Sequence, residues 1–209
     1  MTYRGFTRHL KKQLNRRILF LVLTAAIISG CTSGEQEWNG KNITGVMPDL
    51  EFELVNSNND RVTAADYSGQ VRLLFFGFTS CPDVCPTALS HIQKSIRQMP
   101  EELQKKVTVL FVSVDPERDT PELIGEYASF FGDNITGLTA EESTLRQLAK
   151  RYRTTFGYSE PDSNGHYQVS HSSAIYVFDT QGRIRLLLRP ELPTELIAED
   201  LADLVKAGI

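Results

Sequence analysis

Two apolar stretches constrain the fold of this chain more than any other feature. They cover residues 71–78 and 107–114 and are dominated by valine, leucine and phenylalanine. Such runs are typical of central strands that are covered on both faces. Between them, residues 86–99 carry apolar side chains at intervals of three and four, which predicts an amphipathic helix. The order strand, helix, strand therefore predicts two parallel strands in a buried sheet.

The rest of the chain extends this pattern. Pro121 is expected to open a second helix with Thr120 as its N-cap, because proline suits the first helical position. The other predicted elements are a strand at 50–55, a helix at 142–153, a hairpin of strands 173–178 and 184–188, and a helix at 194–205. This order predicts the α/β class with a thioredoxin-like fold, in which a central mixed β-sheet is flanked by helices on both faces.

The first thirty residues read as a signal peptide. Six basic residues precede an apolar run at 18–28 that is too short for a stable membrane span. The run ends in Ile-Ser-Gly-Cys31, which resembles the lipobox of bacterial lipoproteins and implies a lipid on Cys31. An uncleaved anchor helix is the alternative. Both readings predict that the rest of the chain lies outside the cytoplasm and is attached to a membrane, on the periplasmic side in a Gram-negative cell.

The predicted organisation is thus a signal peptide at 1–30, a lipidated N-terminus and tether at 31–45, and one domain at 46–209, although a first β-hairpin could use part of the tether. Loss of the signal peptide removes six of the 22 basic residues, which leaves 16 against 26 acidic residues and a net charge of −10. A surface of that charge repels phosphate backbones, so nucleic acid is excluded as a partner.

Cys81 and Cys85 are the cysteines that remain once Cys31 is lipidated. They follow the first buried strand, at the sheet edge where α/β proteins collect ligands and reactive groups. Pro86 is expected to start the next helix, so Cys85 should lie at a helix N-terminus, where unpaired N–H groups favour the thiolate. Three residues separate the two thiols, which leaves room for a metal ion, although this spacing alone does not prove metal binding.

The third ligand decides between metals, and the histidines are candidates for it. His91 falls on a helix and is expected to be solvated, and His166 lies in a polar loop as an alternative ligand. His171 precedes the predicted strand at 173–178, and in a thioredoxin-like fold the loop entering that strand faces the cysteines. From the residues alone, a ligand, a cap and a core histidine all remain open for His171. Two thiolates suit Cu(I) or Zn(II), and an added imidazole in a three-ligand site suits copper in either oxidation state.

Two aspartates are candidates for supporting the site. Asp115 follows the second buried strand, so its carboxylate should approach the cysteine loop and could orient His171 or tune the charge of the site. The alternative is that Asp115 merely ends the strand, while Asp119 and Thr120 cap the next helix. Asp83, inside the cysteine loop, could serve a turn or repel the charge of the thiolates.

Three ordered motifs make the chain resemble the Sco/SenC family. They are Phe-Phe-Gly-Phe-Thr-Ser-Cys-Pro-Asp-Val-Cys-Pro-Thr at 75–87, Val-Ser-Val-Asp-Pro-Glu-Arg-Asp-Thr-Pro at 112–121, and His171-Ser172 before a strand. The resemblance runs from about residue 43 to 205. It implies a copper-binding assembly factor that serves the binuclear copper centre of cytochrome c oxidase subunit II, with Cys81, Cys85 and His171 as ligands of Cu(I) or Cu(II). Ser80 departs from the histidine that many relatives carry there, and Asn59-Asp60 from a common turn glycine.

Three other readings remain. A thiol–disulfide oxidoreductase would cycle Cys81 and Cys85 to reduce the cysteines of the oxidase, and it would not need His171. A peroxiredoxin is suggested by Val-Cys-Pro-Thr at 84–87, but those enzymes place threonine where this chain has Pro82. A structural disulfide is the third, and the short loop beside a helix N-terminus disfavours it.

Overall fold

The computed structural model describes residues 37–208 of the 209-residue chain, so the predicted signal peptide and Cys31 lie outside the described residues. The body is built on an eight-stranded mixed sheet with the order β1-β10-β9-β4-β5-β6-β2-β3. A second sheet pairs β7 with β8. The strands are β1 Lys41–Asn42, β2 Glu53–Asn56, β3 Arg61–Thr63, β4 Val71–Gly77, β5 Val107–Ser113, β6 Ile135–Thr139, β7 Phe156–Tyr158, β8 Val169–His171, β9 Ile175–Phe178 and β10 Ile184–Leu188.

The two apolar stretches form the centre of the sheet, as predicted. β4 and β5 pair in parallel with Leu74 opposite Leu110, and β6 continues the parallel set beside β5. Side chains of a strand alternate between its faces, so Val71, Leu73 and Phe75 point into one core while Leu74 and Phe76 point into the other. The sheet is therefore buried on both faces.

Helices cover both faces of the sheet. They are α1 Val84–Arg97, α2 Glu101–Gln104, α3 Pro121–Phe131, α4 Glu142–Arg151 and α5 Thr194–Ala207, with a 3₁₀ turn at Ala64–Tyr67. α1, α3 and α5 contribute apolar residues to one core, and α4 contributes to the other. The thioredoxin-like arrangement predicted from the sequence is confirmed. Within residues 37–208, no helix has the length and apolar character needed to cross a membrane.

The sheet begins before residue 46. β1 lies inside the segment that was predicted to be the tether, and it pairs with β10. Just before it, the backbone N–H groups of Asn39 and Gly40 donate to the buried carboxylate of Asp200 on α5, at 3.0 and 2.7 Å. Residues 39–42 are therefore part of the folded body.

Strands β7 and β8 form a small hairpin that the sequence analysis did not predict. Phe156 pairs with His171 and Tyr158 with Val169, so the hairpin returns the chain to the edge where the cysteines lie. His171 is accordingly the last residue of β8, not a loop residue entering β9. Its position is set by the hairpin, and β9 starts four residues later.

Candidate metal centre

The two cysteines lie in the loop and first helical turn that follow β4. The N–H of Cys81 donates to the carbonyl of Phe78 at 3.3 Å, which turns the chain at the strand end. Cys85 is in the first turn of α1, and its N–H donates to the Cys81 sulfur at 3.4 Å. Both thiols are free, with Cys81 9 % exposed and Cys85 fully buried. A donor at the helix N-terminus therefore points at Cys81.

His171 completes a group of three metal-binding side chains. Its Nε2 lies 3.8 Å from the Cys81 sulfur and 3.3 Å from the Cys85 sulfur. All three donor atoms lie within 4.8 Å of one another, and within residues 37–208 no second such cluster is found. The ring stands edge-on to Phe75 and Phe78, with centroids 6.1 and 5.6 Å away. The structure thus brings together the three residues that the family resemblance implied.

The other ring nitrogen of His171 determines which atom is free to bind a metal. Nδ1 lies 3.0 Å from the carbonyl oxygen of Ser172. Because a carbonyl accepts hydrogen bonds and cannot donate, the proton of the neutral ring belongs on Nδ1. The lone pair of Nε2 then faces the two sulfurs. A backbone partner of this kind fixes the tautomer and orientation of metal-binding histidines.

Burial shifts the acid–base behaviour of two of these groups. It raises the pKa of Cys85 far above the usual value for a thiol, because a thiolate would lose its hydration there. At Cys85, burial therefore outweighs the effect of the helix N-terminus that was expected to favour the thiolate. Burial also lowers the pKa of His171, which keeps the imidazole neutral near pH 7. In the metal-free protein, burial thus favours the uncharged forms of Cys85 and His171.

Asp119 holds the cysteine loop, a role that the sequence analysis missed. Its carboxylate, almost fully buried, accepts from the N–H and hydroxyl of Thr79 at 2.8 and 2.6 Å and from the hydroxyl of Ser113 at 2.6 Å. The sequence Asp-Thr-Pro resembles a helix start, and Thr120 does cap α3 by accepting from the N–H of Leu123. The sequence did offer one signal for this role. Ser113 is a polar residue in the largely apolar stretch at 107–114, and a buried hydroxyl needs a hydrogen-bond partner such as Asp119.

The remaining candidate residues have other partners. Asp115 is fully buried and accepts hydrogen bonds from Tyr167 and Arg118. The Nδ1 of His171 bonds to the carbonyl of Ser172, so the group that orients the ring is not Asp115. Asp83 is exposed and accepts from the hydroxyl of Thr87 at 3.2 Å. Among the other histidines, His91 contacts the carbonyl of Leu192 and His166 lies 3.5 Å from Asp162. The metal-binding group above contains none of these four candidates.

Known proteins share this architecture. The SCO1/SenC family model matches residues 45–206. The human mitochondrial SCO1 homologue is 36 % identical over 137 residues, which are 63 % of this chain and 44 % of the human protein. The chain thus aligns with less than half of that relative's length.

Solved structures agree with the sequence matches. ScoI of Bradyrhizobium japonicum, solved with copper bound, is 33 % identical with a TM-score of 0.66, covering 78 % of this chain and 99 % of that one. A SCO1/SenC family lipoprotein of Bacillus anthracis is 26 % identical with a TM-score of 0.64, covering 78 % and 97 %. Because the family model spans most of the described residues and the fold and the site geometry agree with it, the chain belongs to the SCO1/SenC family.

Proposed function

We propose that this protein binds one copper ion through Cys81, Cys85 and His171 and delivers it to the binuclear copper centre of cytochrome c oxidase subunit II. The observation that carries the proposal is the convergence of two sulfurs and one imidazole nitrogen within 4.8 Å. His171 is 86 residues from Cys85 in sequence, so this contact is a product of the tertiary fold.

The donor set fits copper better than other common ions. Two thiolates are soft ligands that suit Cu(I), and an added imidazole serves copper in either oxidation state. Structural zinc usually takes four ligands in a tetrahedron, and the described residues offer three. With the bond lengths known for zinc, about 2.3 Å to sulfur and about 2.0 Å to nitrogen, an ion held by three ligands at 120° would place nitrogen and sulfur about 3.7 Å apart. The distances of 3.8 and 3.3 Å are close to this spacing.

The partial exposure of the site supports delivery. Cys81 and His171 border solvent, whereas Cys85 is enclosed. A partner carrying cysteine and histidine ligands could therefore displace His171 and Cys81 in turn and receive the ion by ligand exchange. The choice of subunit II as recipient rests on the family resemblance of the three motifs.

A transfer experiment tests the delivery step. The protein loaded with one copper ion is mixed with the reduced, metal-free soluble domain of subunit II, and the two are separated before metal analysis. We expect copper to move to the oxidase domain. Retention of all copper by this protein after equilibration would contradict delivery, and the His171→Ala protein serves as the unloaded control.

A thiol–disulfide oxidoreductase is the second candidate, and the proximity of two free thiols favours it. The donation of the Cys85 N–H to the Cys81 sulfur shows that the cysteines are adjacent in space. Against it, the buried Cys85 has a raised pKa and is a poor nucleophile, so Cys81 would have to attack first. If His171→Ala reduced an oxidised subunit II domain as fast as wild type, the redox role would stand without copper.

Copper affinity is expected to rise with pH. The raised pKa of Cys85 means that its thiol is protonated at neutral pH, and copper must displace that proton to bind sulfur. The lowered pKa of His171 means that the ring has no proton to release on Nε2. One released proton corresponds to about a tenfold gain in affinity per pH unit, so we expect at least this slope between about pH 7 and about pH 8. Chelator competition at several pH values measures it, and a flat profile would contradict the assignment of Cys85.

We also propose that Cys31 carries the lipid that attaches the protein to the outer side of a membrane. The support is the lipobox-like Ile-Ser-Gly-Cys31 after a basic and apolar leader. Labelled fatty acid that is incorporated by wild type and not by Cys31→Ser tests this attachment.

A further inference from the structure

We infer that Tyr158 and Tyr167 are positioning residues that set the place of His171 relative to the two cysteines. Their hydroxyls tie residues 156–171, here called the His171 arm, to the end of β5. The two hydrogen bonds are called the latch. The inference rests on the proposed function, because it concerns the same copper ligand, but the latch itself exists in the metal-free protein.

The His171 arm has little intrinsic stability. Its two strands are three residues long each and pair with one another, separate from the main sheet. An isolated two-stranded hairpin is marginally stable in water at best. The position of His171 at the end of β8 therefore depends on contacts between the arm and the body.

The latch supplies two such contacts. The hydroxyl of Tyr158 donates to the carbonyl of Val114 at 2.5 Å, and the hydroxyl of Tyr167 donates to the carboxylate of Asp115 at 2.6 Å. One tyrosine lies on β7 and the other just before β8, so both sides of the arm are held. Val114 and Asp115 directly follow β5. The arm is thus fastened at two adjacent residues of the body.

Asp115 is bound firmly enough to act as an anchor. It is fully buried, its second carboxylate oxygen accepts from Arg118 at 2.5 Å, and its N–H donates to Ser113. The guanidinium of Arg118 lies 4.1 Å from the Tyr167 ring centroid and 5.8 Å from that of Phe78. Phe78 in turn touches the His171 ring edge-on. A buried carboxylate with charged and neutral donors is costly to leave unpaired, which favours one arrangement.

The residues that hold the latch are also connected to the cysteine loop through the pairing of β4 with β5. Gly77 at the end of β4 pairs with Ser113, and the N–H of Val114 donates to the Gly77 carbonyl at 2.8 Å. β4 leads directly into the loop with Cys81. The paired ends of β4 and β5 therefore position both parts of the site. β4 positions the cysteine loop, and β5 positions the imidazole through the latch. Arg118 and Arg146 also donate to the backbone carbonyls of Tyr167 and Phe156, so loss of the latch should loosen the arm and its imidazole and leave the sulfurs in place.

The double variant Tyr158→Phe/Tyr167→Phe tests the inference in the metal-free protein. It removes two hydroxyl groups and keeps both rings, so the apolar packing of the arm is retained. We expect amide hydrogen exchange of residues 156–158 and 169–171 to accelerate at least about tenfold, while β4 and β5 keep their wild-type rates. Tyr176→Phe is the matched control, because it removes a buried tyrosine hydroxyl from the same core as Phe156, but that hydroxyl donates to the carbonyl of Tyr152 and not to the end of β5. Unchanged exchange in the arm, or equal acceleration throughout the domain, would overturn the inference.

Copper-loaded protein provides the second readout. The double variant should release copper about tenfold faster and show weaker nitrogen hyperfine coupling from His171 in the Cu(II) EPR spectrum, and Tyr176→Phe should match wild type. Wild-type release and coupling in the double variant would refute the link between latch and ligand. Failure of wild type to bind copper would sink the proposed function alone, because exchange in the metal-free arm is measured without copper.

Discussion

Alanine at Cys81, Cys85 or His171 is expected to weaken copper binding at least about 100-fold. A four-ligand structural zinc site contributes about 10–16 kcal/mol, or about 3 kcal/mol per ligand, and 3 kcal/mol corresponds to more than a factor of 100. Competition with a Cu(I) chelator of known affinity measures the loss for each reduced variant. Each of the three losses should be large, because the three donor atoms lie close enough together to bind one ion jointly.

His166→Ala is the matched control for this experiment. It removes a histidine from the arm that carries His171, but its side chain is mostly exposed and lies beside Asp162. We expect its copper affinity to equal that of wild type. If His171→Ala retained stoichiometric binding of wild-type strength, or if His166→Ala lost it, the ligand assignment would be wrong.

Gly77→Ala is expected to damage both the fold and the copper site. A Cβ at this position would lie 2.5 Å from a ring carbon of Phe111 and 2.7 Å from the Cys85 sulfur, both shorter than real contacts. Overpacking of a core costs about 1–3 kcal/mol of unfolding free energy. Because the sulfur must move to relieve the clash, copper affinity should fall about tenfold or more. Chemical denaturation and chelator competition measure the two effects.

Gly137→Ala separates stability from copper binding. Its added Cβ would collide with Ile124, including that residue's backbone, and not with either cysteine, on a strand that β5 separates from β4. We expect a loss of stability at least as large as that of Gly77→Ala, with unchanged copper affinity of the folded protein. If both variants lost affinity equally, the effect of Gly77 would be one of stability and the close packing of Cys85 against the strand would have no functional part.

The sequence pattern predicted the centre of the sheet and missed parts of its periphery. β4 and β5 are recognisable because a strand buried on both faces must be apolar throughout. β6 Ile135–Thr139 was missed, since Gly137 and the two threonines interrupt its apolar character, although the same glycine is what lets α3 pack against it. The β7–β8 hairpin was also missed, because its strands are short and separated by a polar loop.

The site was partly predictable for a similar reason. The proximity of Cys81 and Cys85 follows from a local turn and a helix start, which sequence spacing encodes. The third donor depends on the hairpin, on Tyr158 and on Tyr167, none of which gives a local signal. Only the family resemblance pointed to His171 over a cap or a core residue. Asp119 was misread as a helix cap for the same reason, because its true partners, Thr79 and Ser113, are distant in sequence or in another element.

If Cys31 carries the proposed lipid, the hydrogen bonds from Asn39 and Gly40 to Asp200 limit how far the start of the folded domain can lie from the membrane. Residues 32–38 lie between Cys31 and Asn39, so the two are eight residue steps apart, and even a fully extended chain of that length spans at most about 29 Å. With a lipid on Cys31, residues 32–38 would keep the start of the folded domain within about this distance of the bilayer surface. A recipient site would therefore have to come within the combined reach of this segment and of the domain itself, so the two proteins would meet while attached to the same membrane.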